Sequence, residues 1–225
     1  MSAITSFEGF NLNKQLLSAI ADQGFVSPPE IQQKRIPLIL GGQEVIGIAQ
    51  TGTGKTAAYL LPILLKVKYA QGDEPRAVIL APTKELTIQI AEHAVELAKY
   101  TDLRILSVYG GIGPKTQIEW LRQGIDILIA TPGRFTELYM KGELPTTHIQ
   151  FLVLDEADRM LDMGFIDDVE MIAAATPATR QTLLFSATLD GAIDKVAAKL
   201  LKSPKRIQVA SQKARLDNIE QRLHY

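Results

Sequence analysis

The chain contains no cysteine, which excludes disulfide bonds and thiolate metal sites. Histidine is nearly as scarce. His93, His148 and His224 stand far apart, without metal-ligand spacing, and read as structural residues. Neither sign of charge dominates: 24 Lys and Arg face 25 Asp and Glu, for a net charge of −1. No overall basic field therefore draws the protein onto nucleic acid, and any such binding must come from local loops and helix ends. There is no apolar run long enough to span a bilayer and no basic-then-apolar signal pattern. Repeats and low-complexity segments are also missing. A cytoplasmic protein with no membrane partner is the expectation.

What is present is enough for one substantial α/β core: 225 residues, 46% of them hydrophobic and 22% charged. The stretch that organises it is Ala49-Gln50-Thr51-Gly52-Thr53-Gly54-Lys55-Thr56. Its spacing is that of a phosphate-binding loop. A triphosphate needs a ring of backbone N–H donors, and Gly52 and Gly54 let the chain wrap closely enough to aim them. Lys55 sets a cation against the β- and γ-phosphates, and the Thr56 hydroxyl is a ligand for Mg²⁺. Val45-Ile46-Gly47-Ile48 before the loop reads as a buried strand, and Ala57-Ala58-Tyr59-Leu60-Leu61 after it as a helix start. Ala49 stands where the commonest form has Gly.

Upstream, Leu12, Leu16, Leu17 and Ile20 share a helical face that Gly24 ends. Pro28-Pro29 turns the chain into a second helix with Ile31, Ile36 and Leu40. Gln32 in that helix carries a donor and an acceptor side by side, matching the N6/N7 edge of adenine; alone it is also an ordinary solvated helical residue. Downstream, Pro62 is expected to kink or end the helix that begins at Lys55. Gln71–Pro75 is an exposed turn, after which strands and helices alternate: strands at 77–80, 104–108, 126–130, 151–154, 182–185 and 205–209. Such alternation of apolar strands with helices predicts a mainly parallel sheet covered on both faces. Ligands then bind outside the carboxyl ends of the strands. Three loops there, Pro82-Thr83-Lys84, Gly110-Gly111 and Thr131-Pro132-Gly133-Arg134, suit a nucleic-acid backbone. Singly, each is also an ordinary strand-to-helix turn.

The apolar run Phe151–Leu154 ends abruptly in Asp155-Glu156-Ala157-Asp158. On this edge Asp155 holds Mg²⁺ through its waters, as the acidic partner of Thr56. Glu156 orients and deprotonates the attacking water. With these residues the chain resembles the DEAD-box RNA helicases, closest to their bacterial branch, over nearly its whole length. The resemblance implies a RecA-like phosphate-loop NTPase domain that binds ATP and Mg²⁺. It implies that Phe7, Phe25 and Gln32 form the adenine-reading segment, with Phe25 stacking on the base and Gln32 bonding to it; alone, Phe7 and Phe25 read as core residues. It also implies that Ala49–Thr56 hold the phosphates and that the three loops hold RNA by its backbone. Ser186-Ala187-Thr188 resembles the segment that couples nucleotide state to unwinding, partly by bonding to Asp158; alone, Ser186 and Thr188 are also helix caps near Asp190. Departures are mild: Lys84 for a usual Arg, Thr87 for a usual Ala, and Pro29-Glu30 for a usual Thr-Pro.

The family's arginine-rich His-Arg-x-Gly-Arg run, which a second domain carries, does not occur in these 225 residues. The expected organisation is a helicase domain over 1–210 and the start of an interdomain linker over 211–225. The partner domain lies outside the sequence, so the isolated chain is expected to bind nucleotide without unwinding RNA. Two rival classes fit the sequence less well. A GTPase needs a guanine-reading Asn-Lys-x-Asp, and the near miss Asn13-Lys14-Gln15-Leu16 lacks the Asp and precedes the loop. A nucleotide-dependent RNA-binding module with negligible turnover is opposed, for the parent protein, by intact Lys55, Asp155 and Glu156.

Overall fold

The computed structural model describes residues 4–48, 52–188 and 191–208. The sheet elements, in chain order, are β1 (Val45–Ile48), β2 (Ala77–Leu80), β3 (Ile105–Val108), β4 (Ile127–Ala130), β5 (Phe151–Leu154), β6 (Gln181–Ser186) and β7 (Lys205–Gln208). They form one seven-stranded sheet in the order β3-β4-β2-β5-β6-β1-β7. Every pairing is parallel, as the apolar runs predicted. Side chains alternate across a strand, so each run feeds two cores. Val45, Ile79, Ile129 and Val153 go to one face, under α1 (Lys14–Asp22), α2 (Glu30–Leu40), α3 (Lys55–Val67) and α4 (Lys84–Ala98). Ile46, Val78, Leu128 and Leu152 go to the other. That face is covered by α5 (Pro114–Leu121), α6 (Pro132–Met140), α7 (Ala157–Asp162), α8 (Ile166–Ala175) and α9 (Gly191–Leu200). β7 closes one side with exposed Lys205 and Arg206, charges that discourage further strand pairing.

Several boundaries differ from the sequence expectation. Leu12 lies before α1, whose N-cap is Asn13, accepting from the Leu16 N–H. Pro62 does not end α3, which continues to Val67. The helix is buried along nearly all its length, and that packing outweighs the roughly 3 kcal/mol that an interior proline costs. Val209 falls outside the described residues. Arg104 and Asp126, expected to begin strands, instead lie just outside β3 and β4 and pair with each other. The Asp126 carboxylate is fully buried and accepts from Arg76 Nη2 at 2.7 Å, Arg104 Nε at 3.0 Å and the N–H groups of Arg104 and Gln71 at 2.9 and 3.1 Å. Burial pushes this carboxyl up, but the hydrogen bonds from Arg104 and Arg76 prevail and hold it below the usual range.

Candidate nucleotide and RNA site

The strand order sorts the predicted loops into two groups. The phosphate loop follows β1, Ser186 ends β6 and Asp155-Glu156 follows β5, and these three strands are consecutive in the sheet. The three loops proposed for RNA follow β2, β3 and β4, which are consecutive on the other half. One end of the sheet thus places the loops expected to bind nucleotide on one half and those expected to bind an RNA backbone on the other, joined where β2 meets β5.

In the nucleotide half, Ala49, Gln50 and Thr51 lie outside the described residues. Gly52 and Gly54 have φ of +81° and +87°, the left-handed region that a Cβ disfavours. Gly54 also faces Gln32, whose Nε2 would sit 2.9 Å from a Cβ there. α3 starts at Lys55, so its unpaired N–H groups and positive dipole end face the loop. Lys55 is only 5% exposed, and its Nζ has no hydrogen-bond partner. A buried ammonium calls for anionic partners; the Asp155 charge is near, and a phosphate oxygen is a group that would complete its hydrogen bonds. Thr56, next on the helix, is half-buried.

Asp155 is buried at the end of β5 and accepts from the Tyr59 hydroxyl at 2.8 Å. Burial raises its carboxyl above the usual range, opposed by the Lys55 cation and the Tyr59 hydrogen bond. Burial and the nearby Asp155 charge likewise keep Tyr59 a neutral donor, with its ionisation far above the usual value. Sequence reading missed Tyr59, because a tyrosine inside an apolar helix gives no signal of the carboxylate it will meet. Glu156 adopts φ +53°, uncommon for a residue with a Cβ, at the N-cap of α7. Asp158 Oδ2 accepts from the N–H groups of Ala187 and Thr188 at 3.1 Å each and from the Thr188 hydroxyl at 3.2 Å. That carboxylate ties the start of α7 to the segment that follows β6. Ser186 is buried with its hydroxyl unpaired.

The three residues expected to read adenine separate. Gln32 is buried, donates from Nε2 to the Gly54 carbonyl at 3.3 Å and leaves Oε1 unpaired. Phe25 is 42% exposed and lies edge-on to His93. Phe7 is 4% exposed and packs edge-on against Phe10 inside the core. Of the histidines, His93 is held below its usual value by burial, His148 bonds to Glu74 at 2.7 Å, and His224 lies outside the described residues.

In the other half, Pro82 is buried, and Thr83 caps α4 by accepting from the Leu86 N–H at 3.2 Å. Thr87, fully buried, returns its hydroxyl to the Thr83 carbonyl at 2.8 Å. Lys84 lies 5.2 Å over the Tyr109 ring. Gly110 and Gly111 are exposed, with Gly111 at φ +90°. Thr131 is the N-cap of α6, Pro132 begins that helix and Gly133 is exposed. Arg134, expected with these loops on an RNA backbone, has partners within the chain. Its guanidinium is buried, donating from Nη1 to Gln117 Oε1 at 2.9 Å and from Nη2 to the Ile112 carbonyl at 2.9 Å, and it pairs with Glu137 at 3.0 Å. Gln117 in turn donates to the Tyr109 carbonyl at 3.0 Å. Arg134, Gln117 and Tyr109 lock the loops after β3 and β4 together, and Lys84 leans on the same Tyr109. Nothing in the sequence pattern marked Gln117 or Tyr109.

Among the described residues no cluster of three or more His, Asp or Glu is arranged to hold a metal. Thr56 and Asp155 suit Mg²⁺ nonetheless, since that ion takes one or two protein oxygens plus substrate phosphates and water.

Comparison with known proteins agrees with this geometry. The pattern of the DEAD/DEAH box helicase family matches residues 29–196. The DEAD-box ATP-dependent RNA helicase CshA of Streptococcus pneumoniae is 41% identical over 215 residues, covering 96% of this chain and 41% of that protein. The ATP-dependent RNA helicase SrmB of Escherichia coli is 46% identical over 205 residues, covering 89% of this chain and 46% of its own. A crystal structure of a DEAD box protein from Methanococcus jannaschii superposes with a TM-score of 0.87 at 36% identity, over 92% of this chain and 56% of that one. The chain therefore spans about half the length of the relatives it matches, or somewhat less.

Proposed function

Because the chain belongs to the DEAD/DEAH box helicase family, we propose that it is the ATP-binding half of an ATP-dependent RNA helicase acting in the cytoplasm. No helix among the described residues is long and apolar enough to cross a membrane. The observation that carries the reading is the buried, unpartnered Lys55 Nζ at the start of α3, on the sheet edge that also holds Asp155 and Glu156. Lys55 and the loop N–H groups bind and orient the β- and γ-phosphates of ATP. Thr56 and Asp155 would hold Mg²⁺, which when bound neutralises charge on the transferring phosphoryl group. Glu156 takes the proton of the attacking water. RNA lies along the loops at Pro82–Lys84, Gly110-Gly111 and Thr131–Gly133, contacted through its backbone and without base reading. Arg134 acts here by holding two of those loops in place. Asp158 joins the two halves of the cycle by linking the carboxylate segment to Ser186–Thr188.

The test is ATP hydrolysis with and without single-stranded RNA, on this chain and on the full-length parent. The parent should show RNA-stimulated turnover. Residues 1–225 alone should bind nucleotide without it, since the stabilising arginines of the family pattern are not in this sequence. Absence of any nucleotide binding by either protein overturns the reading.

Base recognition gives a separate prediction. Gln32→Ala should weaken ATP binding about tenfold or more and leave GTP binding nearly unchanged, because a bidentate base contact discriminates by roughly 1–3 kcal/mol. Titration of both nucleotides checks it. Equal weakening would mean that Gln32 serves through its bond to Gly54 alone.

A further inference from the structure

α2 sends two polar side chains, Gln32 and Arg35, from one helical face toward the strand, loop and helix of the phosphate site. Gln32 holds the far end through the Gly54 carbonyl. Arg35 holds the near end. Its Nη2 donates to the carbonyl of Ile48, the last residue of β1, at 3.3 Å, and to the Ile207 carbonyl of β7 at 3.2 Å. The side chain is 0% exposed, and its guanidinium lies 5.1 Å over the Phe185 ring. It also fills the space beside Gly47, where a Cβ would stand 2.5 Å from Arg35 Cζ.

Stability alone does not account for this arrangement. Arg35 Nε and Nη1 have no partner, and no carboxylate forms an ion pair with the side chain among the described residues. Burial lowers its pKa to about 10, opposed only by the charge of Asp155. Unused donors on a buried cation are expensive, and an apolar side chain of similar volume is often neutral or stabilising in such a place. What the guanidinium supplies is a fixed Ile48 carbonyl, and hence a fixed start for the chain running into Ala49–Thr56. Backbone donors in a binding site must be held to within about 0.5 Å to work. The same guanidinium packs on Phe185, which lies 5.1 Å from the Tyr59 ring, and Tyr59 holds Asp155.

We propose that Arg35 is a positioning residue for phosphate recognition, pinning the start of the phosphate loop as Gln32 pins its end. The proposal rests on reading that loop as the nucleotide site. It predicts a loss confined to the phosphate end of the ligand. In Arg35→Met, calorimetric titration should show ADP affinity falling about tenfold, the size of one hydrogen bond from a charged group, while AMP affinity stays within about twofold. The melting temperature should hold or rise. Arg35→Lys keeps a cationic donor and should recover part of the ADP-to-AMP preference. An unchanged ratio in Arg35→Met, or an equal loss for both nucleotides with a lowered melting temperature, overturns the proposal. If Arg35→Met fails to fold, Gly47→Ala displaces the guanidinium from the other side and should lower the same ratio; an unchanged ratio there overturns it equally. A wild-type protein that binds ADP no better than AMP removes the phosphate-loop reading itself, and this inference falls with it.

Discussion

Glu156→Gln in the full-length protein is expected to slow ATP turnover by about 10²–10⁴-fold while ATP still binds, because general-base catalysis contributes on that order. The substitution is informative because it changes little else. Glu156 holds its left-handed φ at the head of α7, and Gln meets the same backbone cost in the same shape. Among the described residues its side chain forms one ion pair, a long one to Arg159 at 3.4 Å, which the amide keeps only as a neutral contact. Lys55→Ala provides the contrast, since loss of the phosphate contact should lower nucleotide affinity itself. Binding and single-turnover hydrolysis measured side by side separate the two. Normal turnover in Glu156→Gln would remove Glu156 from the role of base.

Asp126→Ala is expected to destabilise the fold by roughly 3–5 kcal/mol in urea denaturation at pH 7, the cost of breaking a buried pair and leaving its cation uncompensated. Arg76 is the cation in question: its side chain is 9% exposed and faces a fully buried carboxylate. Native proteins have only about 5–15 kcal/mol in total, so the loss is a large fraction of what holds the domain together. The same carboxylate gives a pH signature. Its folded-state pKa lies below the ordinary value, so its contribution is fully present above the unfolded Asp value. The contribution is lost as pH falls through the depressed folded value. The stability gap between wild type and Asp126→Ala should therefore narrow on acidification from pH 7 toward about 3 and below. A gap independent of pH would show that Asp126 acts by shape alone.

The parallel sheet and its loop positions were legible in the sequence because both depend on local order. Apolar runs such as Phe151–Leu154 and Ile127–Ala130 specify strands buried on two faces, and glycine spacing at Gly52 and Gly54 specifies a backbone path. Asp155 and Glu156 were legible for the same reason, as charges that end an apolar run. Pro62 does not end its helix, because the local penalty of a proline is offset by packing that the sequence does not show.

What only the tertiary structure decided is how each polar side chain is used, since that depends on groups far away in the chain. Arg134 looked like a cation offered to a ligand, yet Gln117 and Ile112 occupy it. Phe7 belongs by resemblance to the adenine-reading segment, and the tertiary structure packs its ring against Phe10 in the core. Arg104 and Asp126 read as strand residues yet form a buried pair, while Tyr59 and Arg35, which no motif marks, bond to the Asp155 carboxylate and the Ile48 carbonyl. The physical reason is common to all of them. Periodicity and glycine spacing act over a few residues and are written in the order of the chain, whereas a buried donor must find an acceptor that only the folded chain brings within reach.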